Sequence, residues 1–319
     1  MDTVVLVDGS NMFHRAFFAV KYGGRSANIS DRLSRGLLEA HTFIKMLLAH
    51  IGKFAPCSLV ICWDGNQRSI YRSAIYPDYK SQRKKDPEDQ KRMAMLRSVM
   101  GELFPRLGFL EVTVNGVEAD DLICYFYRLW RKDYNIVILS ADSDLRQFDG
   151  SVVCDLSGRT IVVDRHTAKL AVMQKAVCGD TSDNIKGVGG VGPKKFQQLM
   201  SVTGPDIDAV IGHFSSDMEL VERLRVNYQL VNLMVSNKEV MLPEVKCTVL
   251  KTFKRFCRVK FNRREATMHC MKLGLRDAAR ILNDTLGGTL ESSHDKTSRL
   301  IRCTLRQRCG RRPRHTINV

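Results

Sequence analysis

The chain has 319 residues, 44% of them hydrophobic, and 50 Lys and Arg stand against 34 Asp and Glu for a formal charge of +16. That length can bury a sizeable core in one large or two smaller domains, and the basic surface attracts a polyanion, nucleic acid by default. Ten scattered cysteines without a C-x-x-C pair exclude a disulfide framework or zinc ribbon; no membrane span or signal peptide is visible, so a cytoplasmic protein without membrane contact is expected.

The first apolar run, residues 3–7, reads as a strand closing on Asp8. A helical pattern at 33–51 leads to a second apolar run, 58–63, which closes on Asp64. Residues 66–98 then carry Arg68, Arg72, Lys80, Arg83, Lys84, Lys85, Lys91 and Arg92, with Tyr71, Tyr76 and Tyr79 interleaved. Cations mixed with aromatics suit single-stranded nucleic acid, by backbone attraction and base stacking; a solvated charged helix is the plainer explanation.

After a helical pattern at 88–107 and a strand at 109–114, Glu118, Asp120 and Asp121 open a helix at 118–131. Positions i and i+3 share a helix face, so Glu118 and Asp121 point together with Asp120 beside them. The strand 135–140 runs directly into Asp142 and Asp144, and strands follow at 152–155 and 160–163. Alternating strands and helices predict a mostly parallel sheet covered on both faces. Asp8, Asp64, Asp142 and Asp144 then fall where strands give way to loops, the usual place for a site in such a sheet.

From about residue 167 helices take over, at 167–178, 193–201 and 217–235. Between the first two lies Gly179-Asp180-Thr-Ser-Asp183-Asn-Ile-Lys186-Gly187-Val-Gly-Gly190-Val-Gly192-Pro-Lys194-Lys195. Its glycines match a dinucleotide fingerprint, but no strand precedes them, which leaves a nicotinamide enzyme a distant reading. A glycine hairpin between two helices fits better, with Pro193 at the first helical position and backbone N–H groups available to a phosphate. Beyond residue 285 the arginine-rich stretch to Val319 reads as a poorly ordered basic tail.

Nine carboxylates converging on one sheet edge raise one another's pKa, and a divalent cation reverses that penalty. The pattern therefore predicts a metal site, with two ions.

Taken in order, Leu6-Val-Asp-Gly-Ser-Asn11, Trp63-Asp-Gly65, Tyr79-Lys-Ser-Gln-Arg83, Val117-Glu-Ala-Asp-Asp121, Ser140-Ala-Asp-Ser-Asp144 and Gly179-Asp-Thr-Ser-Asp-Asn184 resemble the 5′-nuclease, or flap endonuclease, family, which includes phage 5′–3′ exonucleases and the N-terminal nuclease domain of bacterial DNA polymerase I. The resemblance runs from about residue 3 to about 260. It implies a PIN-like α/β nuclease domain over 1–166 with a helical arch at about 66–98, a helix–three-turn–helix module of the helix-hairpin-helix type over 167–285, and the basic tail over 286–319. It implies that Asp8, Asp64, Glu118, Asp120 and Asp121 hold or support one Mg²⁺ (or Mn²⁺), and Asp142, Asp144, Asp180 and Asp183 a second. Asp8, Glu118 and Asp142 would be catalytic, together with Lys80 and Arg83 at the scissile phosphate.

On the same resemblance Tyr79, Lys80, Arg83, Lys84, Lys186, Gly187, Gly190, Gly192, Lys194 and Lys195 would bind DNA, with K⁺ at the hairpin. The expected activity is two-metal hydrolysis at single-strand/duplex junctions, on a 5′ flap, a nicked or gapped duplex or an RNA–DNA hybrid, by a monomer acting in replication or primer removal. No polymerase region follows, so a free-standing nuclease is expected. A PIN-class ribonuclease and a catalytically silent junction-binding protein are the rivals.

Overall fold

A computed structural model describes residues 1–22, 32–55, 57–67, 69–83, 86–258, 261–283 and 285–309. Six strands form one sheet: β1 (Thr3–Asp8), β2 (Ser58–Trp63), β3 (Leu110–Thr113), β4 (Asn135–Leu139), β5 (Val152–Cys154) and β6 (Thr160–Val162). Their order is β3-β2-β1-β4-β5-β6, all parallel except the β5–β6 pair. The central strand β1 is apolar on both faces because both are covered. Val5 and Val7 enter one core and Val4 and Leu6 the other, as the two-residue period of a strand dictates.

On the first face pack α1 (Gly9–Tyr22), α2 (Arg32–Ile51) and α4 (Pro87–Arg106), through Phe17, Phe43 and Phe104 among others. On the second face lies α5 (Ala119–Trp130), with Phe126 and Trp130 stacked on Phe253. The short α3 (Ile70–Ile75) starts at Ser69, whose Oγ accepts from the Arg72 backbone N–H at 3.3 Å. Neither α1 nor α3 is foreseen from periodicity. Because Leu96, Met100, Leu103 and Phe104 are buried in α4, that helix belongs to the core. Of the described residues in the arch expected at 66–98, those around 69–83 lie over the sheet edge.

The sheet passes into α6 (Arg165–Cys178), started by Asp164, whose carboxylate accepts from Thr167 N–H at 2.7 Å. Two short strands, β7 (Gly179–Asp180) and β8 (Ile185–Lys186), pair antiparallel ahead of α7 (Pro193–Thr203). A side chain at Gly187 would lie 2.3 Å from the Cys178 carbonyl, and Gly190 has φ +75°, so both positions require glycine. With α8 (Ile207–His213) and α9 (Met218–Val231) these helices enclose their own core of Met173, Val177, Phe196, Leu199, Val210 and Leu224.

Two expectations are corrected here. The helix expected at 217–235 breaks at Asn232, whose side chain caps α10 (Leu233–Val240) by accepting from Met234 and Val235 N–H. The stretch expected as a loose tail is helix α14 (Thr285–Cys309), and residues 310–319 lie outside the described residues. Together with α11 (Pro243–Phe256), α12 (Arg263–Lys272) and α13 (Arg276–Asn283) it covers the sheet. Its Ser293 and Thr297 hydroxyls accept from Cys57 N–H at 3.2 Å and Leu59 N–H at 2.9 Å, its Thr304 accepts from the Trp130 indole at 3.0 Å, and Leu300 and Ile301 are buried. Arginines that read as a solvated run are the outer face of an amphipathic helix. The helical part is consequently not one module after 167: α6–α9 stand beyond the sheet edge, whereas α10–α14 wrap the sheet itself.

Candidate metal centre and nucleic-acid interface

The chain order reverses direction across the sheet between β1 and β4, and at such a switch point the loops leaving the two strands diverge into a crevice. Asp8 ends β1 there. Its carboxylate accepts from Asn11 N–H at 2.9 Å and from the Ser140 hydroxyl at 2.7 Å, across the crevice. Ser140 Oγ also accepts from Asp142 N–H at 3.0 Å, and Asp142 accepts from Asp144 N–H at 2.9 Å, which places both aspartates on the tight turn after β4. Asp64, after β2, accepts from Ala119 N–H at 2.8 Å and so supplies the missing cap of α5. That fixes Glu118 and Asp120 over the same edge.

One oxygen from each of Asp120, Asp142 and Asp144 lies within 4.8 Å of the others, and so does one from each of Asp144, Asp180 and Asp183. Burial pushes the Asp8 carboxyl up to about 7 against the restraint of Asn11 and Ser140, with Asp64 and Asp142 adding like charge. Burial, then Asp8, Asp142 and Asp144, push Asp120 well above the usual carboxylate range. Asp144 is pushed up to about 6 by burial and by Asp142, although Lys175 opposes the shift. Closely spaced hard oxygens with raised pKa values fit a hard divalent ion such as Mg²⁺ or Mn²⁺.

Across α5 the acids are compensated from within. Arg72, fully buried, forks onto Asp121 at 2.7 and 2.9 Å, reaches Glu118 at 2.8 Å and donates to the Leu230 carbonyl at 3.1 Å. Asp121 itself has no exposed surface. The helix arithmetic thus holds, since Glu118 and Asp121 share a face, but that face looks toward Arg72. Asp121 is accordingly placed in an ion pair and apart from the carboxylate groups that could hold an ion. Lys80 Nζ lies 2.6 Å from Glu118 and 3.6 Å from Asp183. Burial would raise Glu118, yet Arg72 and Lys80 hold it below its ordinary value.

Asp180 and Asp183 belong to the α6–α9 unit and arrive from the other side. Lys175 on α6 bridges Asp144 and Asp180, the latter at 2.6 Å. Asp183 accepts from the Tyr79 hydroxyl at 3.0 Å and from Arg83 at 2.7 Å. Asn184, in the left-handed region at φ 62°, donates to the Asp78 carbonyl at 2.9 Å, and Lys80, at φ 54°, donates its N–H to the Asp183 carbonyl at 3.0 Å. The segment 78–83 and the Asp180–Asn184 turn are therefore clasped together over the crevice.

One DNA-facing expectation changes. Tyr79 is buried, with its hydroxyl on Glu118 and Asp183 and its ring among Val172, Ala176 and Ile185, so it has no face for a base to stack on. Lys84 lies outside the described residues. Lys186, Lys194 and Lys195 are exposed on the hairpin, as are Gly190 and Gly192, whereas Gly187 is half-buried against Cys178. Sequence reasoning missed Lys175, which shares α6 with other cations and has no distinguishing neighbour. It also missed the exposed rings of Phe18 and Tyr22, stacked at 5.8 Å on α1, whose i, i+4 spacing is the available signal.

The family model for the 5′-3′ exonuclease N-terminal, resolvase-like domain matches residues 3–176. Relatives include the 5′-3′ exonuclease of Aquifex aeolicus, 28% identical over 73% of this chain and 82% of that protein. That of Bacillus subtilis is 28% identical over 77% and 84%. The thermostable DNA polymerase I of Thermus thermophilus is 30% identical over 63% of this chain and 24% of its own length. Among solved structures, the bacteriophage T5 5′-exonuclease with divalent metal ions (zinc) shares the fold at TM-score 0.63 and 20% identity, covering 81% of this chain and 99% of that one. No helix among the described residues is long and apolar enough to cross a membrane.

Proposed function

The chain belongs to the 5′-3′ exonuclease family, and from that premise we propose that it is a structure-specific 5′ nuclease that hydrolyses DNA phosphodiesters at single-strand/duplex junctions. The observation that carries the reading is the set Asp8, Asp120, Asp142 and Asp144, carboxylates gathered at a strand-end crevice, where burial and like charge raise the pKa values of Asp8, Asp120 and Asp144. Asp64, Asp180, Asp183 and Glu118 surround that set, and two Mg²⁺ are the natural complement, with Mn²⁺ the alternative. Such ions, when bound, supply an activated water and charge stabilisation at the leaving oxygen.

The chain's own residues do the rest. Lys80 and Arg83 hang from the clasped segment above the crevice and offset negative charge on a phosphate brought there. Ser140 and Asn11 orient Asp8 by hydrogen bonds to its two oxygens. The hairpin presents Lys186, Lys194 and Lys195 with free backbone N–H groups at the start of α7, which suit the phosphates of a duplex backbone, and a K⁺ ion there would be held by carbonyl oxygens of the hairpin. The exposed faces of Phe18 and Tyr22 suit unpaired bases. Recognition through phosphates and stacking reads a junction's shape rather than its sequence.

Cleavage of a 5′-end-labelled flap duplex with Mg²⁺, with EDTA and by Asp142→Asn tests this directly. Metal-dependent release near the junction, lost in the variant, is the expected result. Cleavage of single-stranded RNA but of no DNA flap would replace the reading with a ribonuclease, and tight binding without cleavage would leave a silent binder. Lys80→Ala should slow cleavage more than it weakens duplex binding; equal losses would reduce Lys80 to a general contact.

A further inference from the structure

The arginines of α14 remain without a role in that chemistry. Arg299, Arg302 and Arg306 follow the i, i+3, i+7 spacing of one helix face, and Arg258, just past α11, faces them across a cleft of about 600 Å³. All four are exposed, and among the described residues no ion pair joins any of them to an acid. The floor is made of buried His294, whose ring packs on Phe256 and whose Nδ1 meets the Gly108 carbonyl at 3.1 Å, so the cleft has a fixed base. Glu291 and Asp295 also line the cleft, two acids against four arginines. Helix polarity explains arginines late in one helix. It does not explain a cation from a second element across a concave gap.

The position is as informative as the charge. α14 is pinned to the beginning of β2 by Ser293 and Thr297, to the end of α5 by Thr304 and to Asp2, before β1, by Lys296 at 2.8 Å. The carboxylates stand at the opposite ends of the same strands. A six-residue strand spans roughly 20 Å, so a phosphate held by Arg302 is a sheet's length from one held by Lys80. We propose that this arginine-lined cleft binds the phosphate backbone of a second stretch of duplex DNA, separate from the strand held at the carboxylates. The guanidinium fork suits two phosphate oxygens at once, and four arginines against a single half-buried ring, Phe261, favour a phosphate backbone over stacked bases.

The test uses the full chain without divalent metal, saturated with unlabelled flap DNA, and titrates in a labelled blunt duplex. The expected result is a complex holding two DNA molecules per protein. Arg299→Gln/Arg302→Gln/Arg306→Gln should hold one, with second-duplex affinity lowered about tenfold or more and the log–log salt dependence of that binding shallower by about 2 to 3. Flap cleavage in Mg²⁺ should be unchanged in that variant, which also reports that it folds. The triple Lys variant should bind the second duplex more weakly than the wild type but more tightly than the Gln variant, since an ammonium meets phosphate as a point charge without the fork. A wild-type complex that saturates at one DNA overturns the proposal, as does a Gln variant that keeps two. Tighter binding of polyglutamate than of duplex overturns it in favour of an acidic protein partner.

Discussion

The two sides of α5 solve the same electrostatic problem in opposite ways. On one side Glu118 and Asp121 share the buried guanidinium of Arg72, and Lys80, part-exposed, meets Glu118 from the crevice. On the other, Asp8, Asp120 and Asp142 crowd together, and among the described residues the ion pair that reaches this group is that of Lys175 with Asp144. The first side has bound its counter-charge permanently within the chain. The second has left it to be supplied from solution, and an imported cation can act on a substrate, as an internal guanidinium locked at 2% exposure cannot. The acids that matter for chemistry are therefore the uncompensated ones, not simply the most buried.

Removing one charge on each side is the sharpest way to break this comparison. Asp142→Asn should cut cleavage by roughly 100-fold or more while the fold survives or gains stability, because a like charge has gone. Arg72→Ala should do the reverse, costing about 3–5 kcal/mol of folding free energy by stranding two buried carboxylates, read as a fall in denaturation midpoint. If Asp142→Asn unfolds the protein or Arg72→Ala leaves stability untouched, the two sides are not different in kind.

Mg²⁺ at about 100 times its dissociation constant should stabilise the wild type by about 2.7 kcal/mol. Asp120→Asn/Asp144→Asn should lose most of that gain in a thermal melt, whereas Arg72→Met should keep it. The smallest effect is in pH. Asp8 and Asp144 titrate near 7 and 6 when folded, above the 3.8 of an unfolded aspartate. The native state then holds more protons between about pH 4 and 7, so metal-free stability should fall as pH rises through that window and level off above it. Asp8→Asn should flatten the slope, and so should saturating Mg²⁺.

Much of the sheet and the acidic edge could be read from the chain. Continuous apolar runs such as Val4–Val7 and Ile136–Leu139 have few alternatives to buried parallel strands, and an aspartate closing such a run has one place to be. The carboxylates' division of labour could not be read, because it depends on Arg72, a cation among many in a basic segment whose burial is decided by α3, α5 and α10 together. Tyr79 misled for a related reason: a tyrosine amid lysines looks like a stacking face until Val172 and Ile185, far along the chain, close over it. Likewise α14 looked like a tail because its cations are spread among its few leucines, although Leu290, Leu300 and Ile301 were enough to seat it.

The seat of α14 has a consequence for biosynthesis. Cys57 and Leu59 receive their side-chain acceptors from residues 236 and 238 positions later, so the strand beside the centre of the sheet is translated long before the helix that covers its start. A nascent chain must carry that edge uncovered through most of its elongation, a situation that slows folding and invites chaperone capture. Ribosome-stalled chains ending before residue 285 should accordingly remain protease-sensitive in β2, and gain protection only when α14 clears the exit tunnel.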